Sequence, residues 1–258
     1  PITFTPYASA RPCSARCGFC SENLRRDGAG IAAALVRPGP GYFDDLGRVL
    51  ALLQPLPLSW SLSGLEASDD ADWLLRLLET LACAEHDGLQ VEQRVLYSNG
   101  AGLAGPRGSE LIGALATFGL DWIELSRHHF DAVRNQTLMR FRPGVAIQHD
   151  AVFRDLVRSL SQRLRVKLVC IIQRDGIRTA EDIARYLAFA QDLGVSGVIF
   201  RELAQLGTDY RSNATARYIA AQRMTIEDLV AEVFGDQHLA ASLQPERLTE
   251  GYYFWNLV

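Results

Sequence analysis

The sequence predicts an α/β fold: a parallel sheet covered by helices, forming a barrel or part of one. Three observations carry this. Strand-like and helix-like stretches alternate at least six times, and no heptads or low-complexity linkers interrupt them. The third is composition: 258 residues, 48% hydrophobic and 22% charged, is an ordinary globular chain long enough for one large core, so one domain is expected.

In chain order, ITFTPY (2–7) is the first strand, followed by a cysteine-bearing loop and a Gly-rich connector (27–41). YFDDLGRVLALLQ (42–54) reads as a helix and PLSWSLSG (57–64) as a strand. SDDADWLLRLLETLACAEHDG (68–88) has a polar N-cap, apolar residues at helical spacing (Trp73, Leu74, Leu77, Leu78, Leu81) and a Gly stop. VEQRVLYSNG (91–100) is the next strand, PRGSELIGALATFG (106–119) a helix and DWIELS (121–126) a strand. HDAVFRDLVRSLSQRL (149–164), VKLVCII (166–172), TAEDIARYLAFAQDLG (179–194) and SGVIFREL (196–203) continue the alternation. MTIEDLVAEVF (224–234) adds a helix and GYYFWNLV (251–258) a last strand. In such folds chemistry sits at the C-terminal ends of the strands, so functional residues are expected just after each strand.

Charge excludes some partners. Lys and Arg total 26 against 30 Asp and Glu, a net charge of −4, so no basic field recommends nucleic acid or a membrane surface. No uncharged run approaches the ~18 residues of a membrane span, and the N-terminus lacks a signal-peptide pattern. A cytoplasmic protein is expected. The chain starts with Pro and ends in mid-pattern, which reads as a trimmed version of a longer one.

Five cysteines make a poor disulfide framework, and three of them crowd into PCSARCGFCS (12–21) after the first strand. Cys83 and Cys170 lie in apolar stretches and are expected in the core. A structural zinc site wants four ligands, and no fourth lies near Cys13, Cys17 and Cys20. Three thiolates suit three irons of a 4Fe-4S cube whose fourth iron stays open. A zinc site and a thiol redox pair remain as alternatives.

Cys13-x-x-x-Cys17-x-Phe19-Cys20 resembles the signature of the radical S-adenosylmethionine (radical SAM) superfamily. LSGLEAS (62–68) is similar to the family's Gly-Gly-Glu-Pro motif, with Gly64 and Glu66 matching and Leu65 and Ala67 departing from it. Ser98, Asn99 and Gly100 match a Thr-Asn-Gly segment, and Ser126 falls where members present a polar contact to SAM. The likeness covers roughly residues 2 to 203.

This resemblance implies a partial (β/α)6 TIM-like barrel over 1–203, with 204–258 as a C-terminal extension of the same domain. It implies a 4Fe-4S cluster on Cys13, Cys17 and Cys20. It also implies SAM held by Phe19, Gly64, Glu66, Ser98, Asn99, Ser126 and Leu203. In such enzymes the reduced cluster cleaves SAM to a 5′-deoxyadenosyl radical that takes a hydrogen from the substrate; an electron donor such as flavodoxin or ferredoxin follows. Bland roles stand beside these. Glu66 suits a helix N-terminus, Asn99-Gly100 a turn, and Ser126 a cap for a helix starting near His128.

Substrate contacts are expected from the segment after the fourth strand, at the open mouth: His128, His129 and Arg134, with Asn135 and Arg140 nearby. Arg201 and Glu202 point to opposite faces of the sixth strand; an inward Arg201 holds a carboxylate or phosphate, or pairs with a structural carboxylate. The aromatics Tyr210, Tyr252, Tyr253 and Trp255 are expected near the barrel mouth or side. No second cysteine cluster occurs, which favours a small-molecule substrate such as an amino acid, sugar or nucleotide. A peptide-modifying enzyme, or an activase that places a radical on a partner protein, is the alternative within the class. A non-catalytic iron-sulfur or zinc module is the alternative outside it.

Overall fold

The computed structural model describes residues 1–7, 9, 11–24, 38–243, 245–249 and 254–257. Six strands form one sheet in chain order: β1 (Ile2–Phe4), β2 (Leu58–Leu62), β3 (Val91–Ser98), β4 (Trp122–Ser126), β5 (Val166–Ile172) and β6 (Gly197–Glu202). Every pair is parallel. Parallel neighbours need crossovers, and α1 (Tyr42–Leu53), α2 (Ala71–His86), α3 (Gly108–Phe118), α5 (Asp150–Ser161) and α6 (Ala180–Leu193) lie in them. A short α4 (Ala132–Met139) precedes α5. After the sheet come α7 (Ala214–Gln222), α8 (Ile226–Gly235) and α9 (Gln237–Ser242), then an antiparallel hairpin, β7 (Pro245–Thr249) and β8 (Phe254–Leu257).

Alternation along the strands sorts residues by face. Leu58, Trp60, Leu62, Leu96, Ile123, Leu125, Leu168, Cys170 and Ile172 join Leu50, Leu74, Leu77, Leu111, Phe153 and Leu160 of the helices in one buried cluster. The residues between them, including Ser61, Tyr97, Glu124, Ser126 and Lys167, line the opposite face. That face is concave. Strands three places apart lie roughly 14 Å apart in a flat sheet, yet the Arg201 guanidinium on β6 sits 5.4 Å from the Tyr97 ring centroid on β3 and 2.6 Å from Glu124 on β4. The sheet therefore curls into a partial barrel, as expected.

Helix starts follow capping chemistry. Asp70 accepts from Trp73 N at α2, Asp131 from Arg134 N at α4, and Thr179 and Asp182 form a reciprocal capping box at α6. Three helices were not anticipated: α4, whose buried face mixes Asn135 with Leu138 and Met139, α7 and α9. Cys83, expected in the core, is exposed on the outer face of α2, while Cys170 is fully buried. The connector at 27–41 is described only from residue 38, and the expected last strand only at Phe254–Leu257; Tyr252 and Tyr253 lie outside the described residues. Among the described residues no helix is long and apolar enough to cross a membrane.

One close approach fixes the loops after β2 and β3. A Cβ on Gly102 would stand 1.7 Å from the Ser68 carbonyl oxygen, a backbone atom that cannot swing away. Gly102→Ala is expected to destabilise the protein by about 3 kcal/mol, the upper end for overpacking, read as a lower urea midpoint. An unchanged midpoint would contradict this packing.

Candidate active site

The cysteine loop lies over the C-terminal ends of the strands, fastened from three directions. Ser14 N donates to Asp69 Oδ2 (2.6 Å) after β2. Asn99, just past β3, donates through Nδ2 to Ser14 Oγ (3.2 Å) and Cys13 Sγ (3.4 Å). Arg16 N donates to the Met139 carbonyl (3.1 Å), Arg142 N to the Ser14 carbonyl (3.0 Å), and Cys17 Sγ to the Met139 carbonyl (3.5 Å). The end of α4 thus forms a wall for the loop, helped by Arg140, which takes the left-handed conformation at φ 52°.

All three thiols are free and half-buried. Burial, then the Glu66 carboxylate, pushes the Cys13 thiol up to about 12; burial and the other two cysteines raise Cys17, and burial raises Cys20. The thiols therefore feel one another, yet among the described residues no three His, Cys, Asp or Glu side chains converge as ligands of a single ion. Cys13 Sγ accepts from both Ala15 N and Asn99 Nδ2, at 3.4 Å each, donors that favour a thiolate. Three thiols on one loop, with N–H groups aimed at one of them, fit an iron-sulfur group. Its positive charge would reverse the upward shifts.

Glu66 is the centre of the neighbouring loops. Gly64 (φ 97°) and Leu65 (φ 52°) both take left-handed backbone, which turns the chain so that Glu66 points inward. Its carboxylate is buried and accepts from Ser68 N (3.1 Å), Ser68 Oγ (2.7 Å), Ser98 Oγ (2.7 Å) and Asn99 N. Burial first, then Asp69, raises its pKa, against the donors of Ser68, Asn99 and Ser98. The acceptor capacity of this carboxylate is thus largely taken up by protein donors. Glu66 ties the β2 and β3 loops together, and it caps the short 3-10 turn Ala67–Asp69. Ser98 is equally occupied, since its hydroxyl also accepts from Gly100 N (2.9 Å). Asn99 has both readings at once: Oδ1 closes a turn onto Ala101 N (2.8 Å) while Nδ2 reaches the cysteine loop.

Ser126 is half-buried on the concave face and makes no side-chain hydrogen bond among the described residues. It is not a helix cap; Asp131 caps α4 instead. Phe19 packs edge-on against His128 (centroids 4.9 Å, 89°) and against Tyr218 of α7 (6.4 Å). Tyr218 also presses on Gly18 and donates to Gln173 Oε1 (2.7 Å), so α7 covers the cysteine loop from the C-terminal side. Leu203 is buried at the end of β6, its carbonyl accepting from Arg223 Nε (3.2 Å).

The two histidines expected at the open rim are buried instead, 3% and 2% exposed. His128 Nδ1 accepts from Ile171 N (3.1 Å) and its own N–H donates to Asn135 Oδ1 (2.8 Å). Backbone pairing between the β4 and β5 ends draws it inward. His129 Nδ1 accepts from Asp131 N (2.9 Å). Arg134 is exposed on α4, and Glu202 points away from the concave face to pair with Arg223. Burial, then Arg127, lowers His128 to about 3. A depressed histidine stabilises above its unfolded pKa of about 6.5, and that stability is lost as pH falls toward about 3. Stability is expected to drop by up to roughly 1.4 kcal/mol per pH unit in that window, measured as urea midpoints against pH, with a flatter slope in His128→Gln.

Sequence reasoning missed Asp69, Arg127, Glu124, Tyr97 and Tyr218. Arg127 is fully buried, donating to the His129 carbonyl (3.0 Å) and Asp150 (2.9 Å) with its guanidinium 4.5 Å from the Phe153 ring centroid. It braces the helix layer. Asp69 stood within the SDD run read only as a helix start.

No family model and no curated protein matches the chain. Solved structures do. SuiB from Streptococcus suis bound to S-adenosylmethionine aligns at TM-score 0.54 and 16% identity, over 91% of this chain and 48% of that one. Coproporphyrinogen III oxidase (HemN) from Escherichia coli, described as a radical SAM enzyme, aligns at TM-score 0.57 and 16% identity, over 94% and 53%. The chain has the radical SAM fold. A third structure with it, anSMEcpe with bound AdoMet and the Cp18Cys peptide, aligns at TM-score 0.57 and 12% identity, over 79% and 51%. The chain spans about half the length of these structures. In the radical SAM barrel seen here, two grooves among the described residues lie in the helix layer, one of about 320 Å³ between α1 and α2 and one of about 270 Å³ between α5 and α6. Neither groove is lined by residues of the cysteine loop.

Proposed function

We propose that this chain is the catalytic barrel of a cytoplasmic radical SAM enzyme acting on a small-molecule substrate. The observation that carries the reading is the three-cysteine loop, fastened over the strand ends by Asp69, Asn99 and the Met139 carbonyl, in a chain with this fold. Cys13, Cys17 and Cys20 would hold a 4Fe-4S cluster, with SAM beside it. When bound, these supply an electron and a 5′-deoxyadenosyl radical that takes a hydrogen atom from the substrate.

The chain's own residues orient and enclose. Asn99 and Ala15 direct N–H groups at Cys13 and so favour its thiolate. Glu66, with Ser98 and Asn99, sets the loop in which the Gly64 carbonyl would accept the SAM amine. The Ser126 hydroxyl is available to the ribose or methionine part. Phe19 and Leu203 offer apolar surface to the adenine, while Tyr218 and α7 exclude water from the loop. A flavodoxin- or ferredoxin-type donor would supply the electron.

A peptide substrate is the second reading, favoured by SuiB solved with its precursor peptide SuiA and anSMEcpe solved with Cp18Cys. The test is electron paramagnetic resonance of the anaerobically reconstituted, dithionite-reduced protein. A change in the cluster signal on adding SAM is expected; an unchanged signal at saturating SAM contradicts the reading.

A further inference from the structure

The concave face carries a second cluster of groups, two residues before Asn99 and Ser126 on their strands, that the cofactor assignments leave unused. Glu124 is 4% exposed at the centre of the half-barrel. Its Oε2 accepts from Arg201 Nη2 (2.6 Å) and its Oε1 from Trp122 Nε1 (3.2 Å). Arg201 lies against the Tyr97 ring at 5.4 Å, and its side chain remains 45% exposed. A guanidinium has five N–H donors; Nη2 serves Glu124 and another reaches the Tyr97 hydroxyl, so donors remain for a ligand. Lys167 rests its Nζ 3.7 Å from the Trp122 ring centroid.

Arg201 and Lys167 against the one carboxylate of Glu124 leave this patch net positive, with Arg165 adding to the field at Lys167, between two aromatic faces. We propose that it is the substrate cradle: Arg201 receives a single carboxylate of a small-molecule substrate, while Glu124 fixes the guanidinium and Tyr97 and Trp122 wall the ligand's body. An Arg201 cation already shared with Glu124 fits a singly charged carboxylate better than a phosphate dianion. A pre-oriented Arg fork suits the two oxygens of a carboxylate. The proposal rests on the radical SAM reading, in which hydrogen abstraction occurs just above this face, and it gives that reading a substrate class.

The test is a thermal-shift and equilibrium-dialysis panel of small carboxylic acids, each paired with its neutral carboxamide and, where one exists, its phosphate analogue, against the reconstituted full chain. At least one acid is expected to bind at a single site, at least tenfold tighter than its carboxamide or phosphate analogue, and to lose at least tenfold affinity in Arg201→Met. Removing Arg201 alone leaves Glu124 buried without its partner, so the Arg201→Met/Glu124→Gln double variant is measured beside it, and Arg201→Lys tests the fork against the charge. Acid binding that survives in the double variant, an acid no better than its carboxamide, a preferred phosphate, or no binding acid at all overturns the proposal. SAM is titrated as a separate arm: if Arg201→Met loses SAM affinity along with acid affinity, the guanidinium serves the carboxylate of SAM and the substrate assignment falls. If the wild-type protein binds an acid through Arg201 but forms no 5′-deoxyadenosine, the radical reading fails while the binding site stands.

Discussion

Cys17→Ala is expected to reduce SAM cleavage to background and to abolish the brown iron-sulfur absorbance of the reconstituted protein, with the fold intact. The thiol is half-buried and makes one weak hydrogen bond, to the Met139 carbonyl (3.5 Å), so its loss costs stability only on the order of 1 kcal/mol. The functional effect is far larger, because a cube held by two of its three thiolates lacks a protein anchor for one iron. Iron content, absorbance and urea midpoint measured on one preparation separate the two effects. A variant that keeps full iron content, or one that unfolds, contradicts this account.

The second large effect is on Glu66. Glu66→Ala strips the acceptor from Ser68 N, Ser68 Oγ, Ser98 Oγ and Asn99 N together, all in a buried pocket. Unpaired buried donors cost about 1–3 kcal/mol each and do not add fully, so a destabilisation of roughly 3–5 kcal/mol is expected. The damage spreads to the cysteine loop, because Asn99 is both a Glu66 donor and the donor to Cys13 and Ser14. Chemical denaturation measures the first effect, and reconstituted iron content the second. A loss below about 1 kcal/mol would mean that the Glu66 network does not hold these loops.

Much of this was legible because apolar period and turn chemistry agree along the first 203 residues. Each strand from β2 to β6 was readable as an apolar-rich run between polar breaks, and α2 announced itself through its polar start, where Asp70 caps it. The cysteine spacing located its own loop. What stayed hidden depended on pairing between distant segments. Glu124 looks like any strand carboxylate until the curl of the sheet brings Arg201 across to it, and Asp69 looks like a helix-start acid until the loop after β1 folds over it. His128 and His129 read as rim residues because polarity is a guide to exposure. The β5 backbone that consumes His128 Nδ1 lies 43 residues further along. α4 was obscured by the buried Asn135, which interrupts the apolar stripe to serve the His128 backbone.

The central claim is that the fastened thiol loop serves reductive SAM chemistry. The measurement that tests it most directly is 5′-deoxyadenosine, quantified by mass spectrometry after the anaerobically reconstituted protein is incubated with SAM and dithionite. The account predicts its formation by the wild-type chain and its absence from Cys17→Ala. A reconstituted chain that carries four irons and binds SAM yet forms no 5′-deoxyadenosine, with candidate acids present, would contradict it.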